Sequence, residues 1–240
     1  MKKVITGIAI VAMAALSLSA DVYIKSKTHT DAVTMMGQTT PASDAIGEAW
    51  LSDNVFYNKT GDNAVLIDLA KNTFMMINYS AKTYVESPLP LDMTKLLPPE
   101  AAAMAAMLVR TATVTPSGET KKIGTWNCQG YTQTVTVMGM PMTTKIWATT
   151  DLPFDWAKFS GKFLPAVTKS SFLDDASIKE MAKIKGYMIS SETNAEMMGA
   201  KIHVTIDVTE ISTKTAPAGI YSAPAGFTKT AALDMNAFRR

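Results

Sequence analysis

A chain whose apolar residues recur at every second position is largely committed to antiparallel sheet, and this chain does so along most of its length. The stretch AKIHVTIDV puts Ile202, Val204, Ile206 and Val208 on one face, with Lys201, His203, Thr205 and Asp207 on the other. YTQTVTV repeats the pattern, opposing Tyr131, Val135 and Val137 to Thr132, Thr134 and Thr136. Similar runs lie near 22–35, 46–57, 63–69, 73–78, 82–86, 112–118, 142–149 and 187–197. About ten strands in one chain predict a large sheet that curls or closes.

Three segments break the alternation. LPPEAAAMAAMLVR, from Leu97 to Arg110, carries prolines where a first helical turn tolerates them, then helix formers with Ala101, Met104, Ala105 and Leu108 on one side. DWAKFSGKFLP offers Trp156, Phe159 and Phe163 at helical spacing and is expected to stop at Pro165. DDASIKEMAKIKG begins with aspartates at the capping end, repeats Ile178, Met181 and Ile184, and ends at Gly186. Helices this short gain their stability from packing, so they should lie against the sheet. The expected fold is mainly β with a few helices: a curved antiparallel sheet of about ten strands with helices on one face.

The N-terminus reads MKKVITGIAIVAMAALSLSAD, two lysines followed by an apolar run and small residues, the layout of a secretory signal peptide. The expected division is therefore a signal peptide over 1–20 and a single domain over 21–240, with a periplasmic or secreted location and no transmembrane anchor. Removing Lys2 and Lys3 takes 23 basic and 21 acidic residues to 21 of each. A neutral chain without a basic patch does not point to nucleic acid. Cys128 is the only cysteine, so no intramolecular disulfide can form and stability must come from packing.

Catalytic patterns are missing. There is no GxSxG elbow, phosphate-cradling glycine loop or HExxH motif. His29 and His203 each fall on the polar side of an expected strand, without a second ligand at metal-binding spacing, and read as exposed histidines. Asp174 and Asp175 read as helix caps rather than a catalytic pair. Cys128 lacks an identifiable base nearby and reads as a buried structural thiol. The expectation is a protein that is not an enzyme and uses no cofactor.

Methionine is conspicuous, with 15 residues beyond Met1 and Met13. VTMMGQT, VTVMGMPM and AEMMGAK each set Met-Gly between strand-like runs, where glycine can adopt the positive φ of a tight hairpin. They are expected to be hairpin tips. Met138, Met140 and Met142 could offer soft thioethers to Cu(I) if the chain stays extended there. A turn would scatter the sulfurs, leaving an adaptable apolar surface or gap-filling side chains.

Beyond these features, GTWNCQGYTQTVTV, KIWATTDLP, MAKIKGYMISSE, VTIDVTEIS and GIYSAPAGFTK follow one another in an order that resembles a family of exported proteins related to the lipoprotein carriers LolA and LolB. That family's G-x-x-C-x-x-Y strand is carried here by Trp126, Cys128 and Tyr131, with Gly124 displaced by one place. Trp147, Thr149, Asp151, Leu152 and Pro153 match its W-x-T-x-D-L-P strand end. Lys185 and Gly186 match its K-G, and Thr209, Glu210 and Ile211 its T-E-I strand. Its closing F-x-x-P-x-G-Y appears with Tyr221 first, then Pro224, Gly226 and Phe227. The resemblance implies a LolA-like half-barrel whose concave face is covered by helices and encloses an apolar cavity, which in the carriers receives acyl chains. Their acyl-release residues have no counterpart here.

The combined expectation is a non-catalytic protein that binds a hydrophobic ligand, a lipid or acyl chain, between sheet and helices. The residues expected to line the site are Trp50, Phe74 and Met76 from the sheet, Met104 and Leu108 from the alanine-rich helix, and Trp156 and Phe159 from the next helix. The alternative is an envelope interaction or stress-sensor module, partnered by another protein, whose core is closed by Trp156, Phe159 and Phe163. Cu(I) binding through Met138, Met140 and Met142 is a third option.

Overall fold

The computed structural model describes residues 21–35, 37–106, 110–167, 173–197 and 199–233 of the 240-residue chain. The expected signal peptide over 1–20 lies outside them. Among the described residues there are fourteen strands: β1 Asp21–Thr30, β2 Val33–Met35, β3 Gln38–Thr40, β4 Ser43–Leu51, β5 Val55–Thr60, β6 Asn63–Asp68, β7 Thr73–Asn78, β8 Thr83–Pro88, β9 Arg110–Ile123, β10 Trp126–Val137, β11 Met140–Thr149, β12 Tyr187–Met197, β13 Ala200–Lys214 and β14 Thr228–Lys229. Helices α1 Pro99–Ala106, α2 Trp156–Val167 and α3 Asp175–Met181 accompany them, with a 3-10 turn at Met93–Lys95.

Twelve strands form one curved, unclosed sheet in the order β14-β8-β7-β6-β5-β4-β1-β13-β12-β11-β10-β9, and β2 and β3 form a separate ribbon. Pairing is antiparallel except where β14 runs parallel to β8. The strand count exceeds the expected ten because two apolar runs are interrupted, which adds two strands, and because β3 and β14 are short pieces outside the expected runs. The run over 46–57 breaks at Ser52–Asn54, where the Ser52 hydroxyl accepts from the Val55 amide at 3.1 Å and starts a new strand. The run over 22–35 divides at Asp31–Ala32 into β1 and β2.

Both faces of the β1 to β8 half are covered. On one, Val22, Ile24, Ala49, Leu51, Ile67, Phe74 and Val85 meet α2, whose Phe163 is buried among them and whose Trp156 and Phe159 pack alongside. On the other, Tyr23, Trp50, Tyr57, Leu66 and Ile77 meet the segment after β13, through Ala216, Ile220, Tyr221 and Phe227. Helix α2 runs to Val167, with Pro165 inside it, rather than stopping at that proline. An interior proline costs about 3 kcal/mol. The burial of Phe163 against the sheet, with the half-buried Trp156 and Phe159 packed beside it, offsets that cost.

Helix α3 lies along β9, the sheet's edge. Two of the edge strand's outward amides are bonded by side chains of α3: Ala112 N–H donates to Ser177 Oγ at 2.8 Å and Val114 N–H to Glu180 Oε2 at 2.9 Å. Edge amides satisfied in this way are closed to other strands. Asp174 caps the helix as expected, accepting from the Ser177 amide at 2.7 Å. Below α3, Met181 and Ile184 pack on Val114, Tyr131, Ile146 and Ala148. The helix closes after Met181 and the chain turns at Gly186, where φ is 89° and a Cβ would lie 2.0 Å from the Thr149 carbonyl oxygen. Only glycine fits there.

Candidate functional site

Four of the expected ligand-lining residues meet on the helix-bearing face. Phe74 is buried, and Met76, Trp156 and Phe159 are half-buried around the same seam between α2 and the sheet. The rings are in mutual contact: Trp156 stacks on Phe159 with centroids 5.6 Å apart, Phe159 on Phe163 at 4.3 Å, and Phe56 meets Phe159 at 6.2 Å. Tyr187 closes the outer end edge-on to Trp156 at 5.0 Å, and burial pushes its phenol up to about 12. Trp50 is not part of this group. Its cross-strand partners Tyr23 and Tyr57 share the opposite face, because alternate residues of β4 point in opposite directions. Leu108 and the side chain of Met104 lie outside the described residues; Arg110, which the helix was expected to reach, is in β9.

The sheet also presents an apolar floor that no single stretch of sequence announces. The registers align Ala112, Val135, Met142, Ala195 and Ile202 in one row across β9 to β13. Tyr131 and Ile146, four residues along the same strands, are packed beneath α3, which identifies the row as part of the helix-bearing face. Ala112 is buried under α3, while Val135, Met142, Ala195 and Ile202 are half-buried, as are Val137, Met140, Val204 and Ile206 on the same face. From β10 to β13 the row spans three inter-strand spacings, about 14 Å.

The methionine segments flank this floor. Met138 and Gly139 form the two-residue turn of the β10–β11 hairpin, with φ of 51° and 79°, and Met138 is 74% exposed. Gly37 and Gly199 take φ of 78° at the β2–β3 and β12–β13 turns; Met36 and Met198 lie outside the described residues. Because Met142 opposes Ala195 and β2 lies against β13, all three tips are at the same end of the sheet. The turn carries Met138 off the strand, whereas Met140 and Met142 alternate onto the helix-bearing face.

Polar chemistry gathers elsewhere. The two histidines are linked rather than isolated: on the face away from the floor, His29 contacts Asp44 at 2.7 Å and Asp31 at 3.1 Å, and His203 contacts Asp31 at 2.9 Å. Sequence spacing hides this, since Asp31 meets His203 only through the β1–β13 pairing. The hydrogen bond to Asp44 raises the His29 pKa. Among the described residues no three His, Cys, Asp or Glu side chains converge as a metal-binding group. Cys128 is buried, its thiol pKa pushed up by that burial, and it donates to the Trp126 carbonyl at 3.8 Å. Burial in such surroundings disfavours the thiolate that nucleophilic chemistry needs. Among the described residues no helix is long and apolar enough to cross a membrane.

No family model matches the chain, and no curated protein matches it by sequence. Among solved structures, one similar chain is PNGF-II, solved in the C2 space group, at 11% identity and a TM-score of 0.38. The alignment covers 90% of this chain and 32% of PNGF-II. A likeness this distant carries no argument about fold or activity.

Proposed function

We propose that this chain is an exported, non-catalytic binder of a hydrophobic ligand, a lipid or acyl chain, held on the helix-bearing face of a LolA-like half-barrel. The observation that carries the reading is the half-buried apolar row Val135, Met142, Ala195 and Ile202, set across four strands beyond the cover of α3. Water is an unfavourable neighbour for such a row, and each methylene buried against it is worth about 0.8 kcal/mol. Ten methylenes give about 8 kcal/mol before association costs, so a micromolar affinity is within reach. Phe74, Met76, Trp156 and Phe159 form the inner end of the same face, and the flexible thioethers of Met140 and Met142 can adapt to chains of different length.

The test is titration with a fluorescent polyunsaturated fatty acid. Wild-type protein should give saturable enhancement, and Met142→Lys or Ile202→Lys should weaken it by about tenfold or more. No saturable enhancement in the wild type refutes the reading. The contact of Phe56, Phe159 and Phe163 rings favours a second reading, an envelope interaction module whose core is filled by its own side chains. That reading expects no fatty-acid response in any of the three proteins.

A further inference from the structure

The opposite face of the sheet holds a separate cleft of about 680 Å³, within the size range of small-molecule sites. Its floor is Trp50 on β4, Tyr57 and Lys59 on β5 and Tyr79 after β7; its roof is the segment from Pro217 to Ala225. The floor is held in place. The Tyr57 and Tyr79 hydroxyls lie 3.0 Å apart, and Tyr23 packs on Trp50 with ring centroids at 4.7 Å. The roof is fastened by Ile220 and Tyr221 on the aromatic face and by Phe227, whose ring meets Tyr79 edge-on at 5.4 Å. Between those anchors the roof is built of proline, glycine, alanine and serine, which form a wall but bring no charge.

Two charges stand at this cleft, and they do not neutralise each other. Glu48 and Lys59 are directly opposed in the β4–β5 register. Opposed side chains in an antiparallel pair start about 5 Å apart, close enough for an ion pair. Among the described residues, however, no ion pair joins them. Glu48 instead accepts a hydrogen bond from the Tyr23 hydroxyl at 2.7 Å, and the Lys59 ammonium sits over the Tyr79 ring at 4.3 Å. Lys25, the neighbour of Glu48 on β1, makes no ion pair with it either, and Glu210 and Lys214 beyond Tyr23 pair with one another. The result is an anion and a cation held apart by aromatic partners, one on each of two adjacent strands, facing a space walled by aromatic rings and small uncharged residues.

We propose that this cleft binds a small organic zwitterion, its ammonium group toward Glu48 and its carboxylate toward Lys59, with its carbon body against Trp50 and Tyr57. A molecule with both charges completes two separated groups at once. A simple anion or a simple cation satisfies one and leaves the other facing a like or empty neighbour. The aromatic rings add attraction for the ammonium end, because a cation over a ring face is drawn to its quadrupole. The site is on the other side of the sheet from the apolar floor, so its occupancy is independent of lipid binding.

The experiment is isothermal titration of the full chain with glycine betaine, alongside sodium acetate and tetramethylammonium chloride at matched ionic strength. The expected result is saturable one-site binding of betaine, with acetate and tetramethylammonium at least about tenfold weaker. Glu48→Gln and Lys59→Met should each weaken betaine by about tenfold or more while leaving the thermal midpoint near that of the wild type, since Glu48 is exposed and Lys59 only half-buried. Glu48→Gln keeps the shape of the side chain and remains informative where Lys59→Met lowers stability. The proposal is overturned by absent saturable betaine binding, by acetate or tetramethylammonium binding as tightly as betaine, or by unchanged betaine affinity in both variants.

Discussion

Replacing Phe163 by alanine tests whether α2 is docked on the sheet as a structural member. Phe163 retains 5% of its exposure, stacks on Phe159 with centroids 4.3 Å apart and meets Phe56 edge-on at 6.4 Å. A buried phenylalanine covers about 150–250 Å², which at about 25 cal/mol per Å² corresponds to about 4–6 kcal/mol. Measured Phe→Ala losses in cores run at about 3–5 kcal/mol, and about 4 kcal/mol is expected here because two ring partners are lost with the transfer energy. Urea unfolding followed by tryptophan fluorescence reads this directly, since Trp156 reports on the same seam. In a thermal melt the midpoint should fall by about 8–16 °C for a chain of this size. Phe163→Leu refills most of the volume and should cost about 1.5 kcal/mol. A Phe163→Ala loss below about 1 kcal/mol is the value of a surface site, and it would mean that α2 does not close this face.

Gly186→Ala should be far more damaging than Gly61→Ala, although both glycines have positive φ. The added methyl meets the Thr149 backbone at 2.0 Å in the first case and nothing within 4 Å in the second. Losses of at least about 3 kcal/mol against about 1 kcal/mol are expected by urea unfolding. His29 should titrate above the ordinary histidine value in an NMR pH series, because Asp44 and then Asp31 hold its protonated form. Asp44→Asn should bring it down. A raised folded-state pKa means the stabilisation is complete below the unfolded-state value and disappears as pH rises through the folded one, so this contact favours the fold on the acidic side. Cys128 should react with a disulfide reagent only after denaturation, because burial raises its thiol pKa and blocks access; rapid reaction in the native state would contradict its placement.

Much of the sheet was legible because its strands have one clean apolar face. β13 and β10 show the alternation read from Ile202 to Val208 and from Tyr131 to Val137, and the Asp174 cap and the Met-Gly turns follow from side-chain reach and glycine's freedom at positive φ. The face of Trp50 was not legible. Ala49, Trp50 and Leu51 are all buried, because this end of β4 is covered on both sides, and three apolar residues in succession carry no sign of which side meets the helices. Pro165 misled for a related reason: a local rule about proline yields when aromatic docking offers more than the lost hydrogen bond. The apolar floor was hidden more deeply. Val135, Met142, Ala195 and Ile202 were each visible as strand positions, but only the pairing register makes them one surface. The same holds for His29 and His203, which share Asp31 across strands far apart in sequence.

An apolar molecule held on the helix-bearing face should stay with the protein when it is purified without detergent from its host, and native mass spectrometry detects it. A population heavier than the polypeptide by the mass of a lipid or fatty acid, released by organic extraction and reduced in Ile202→Lys, is expected. A single peak at the polypeptide mass, with no lipid in the extract, contradicts it.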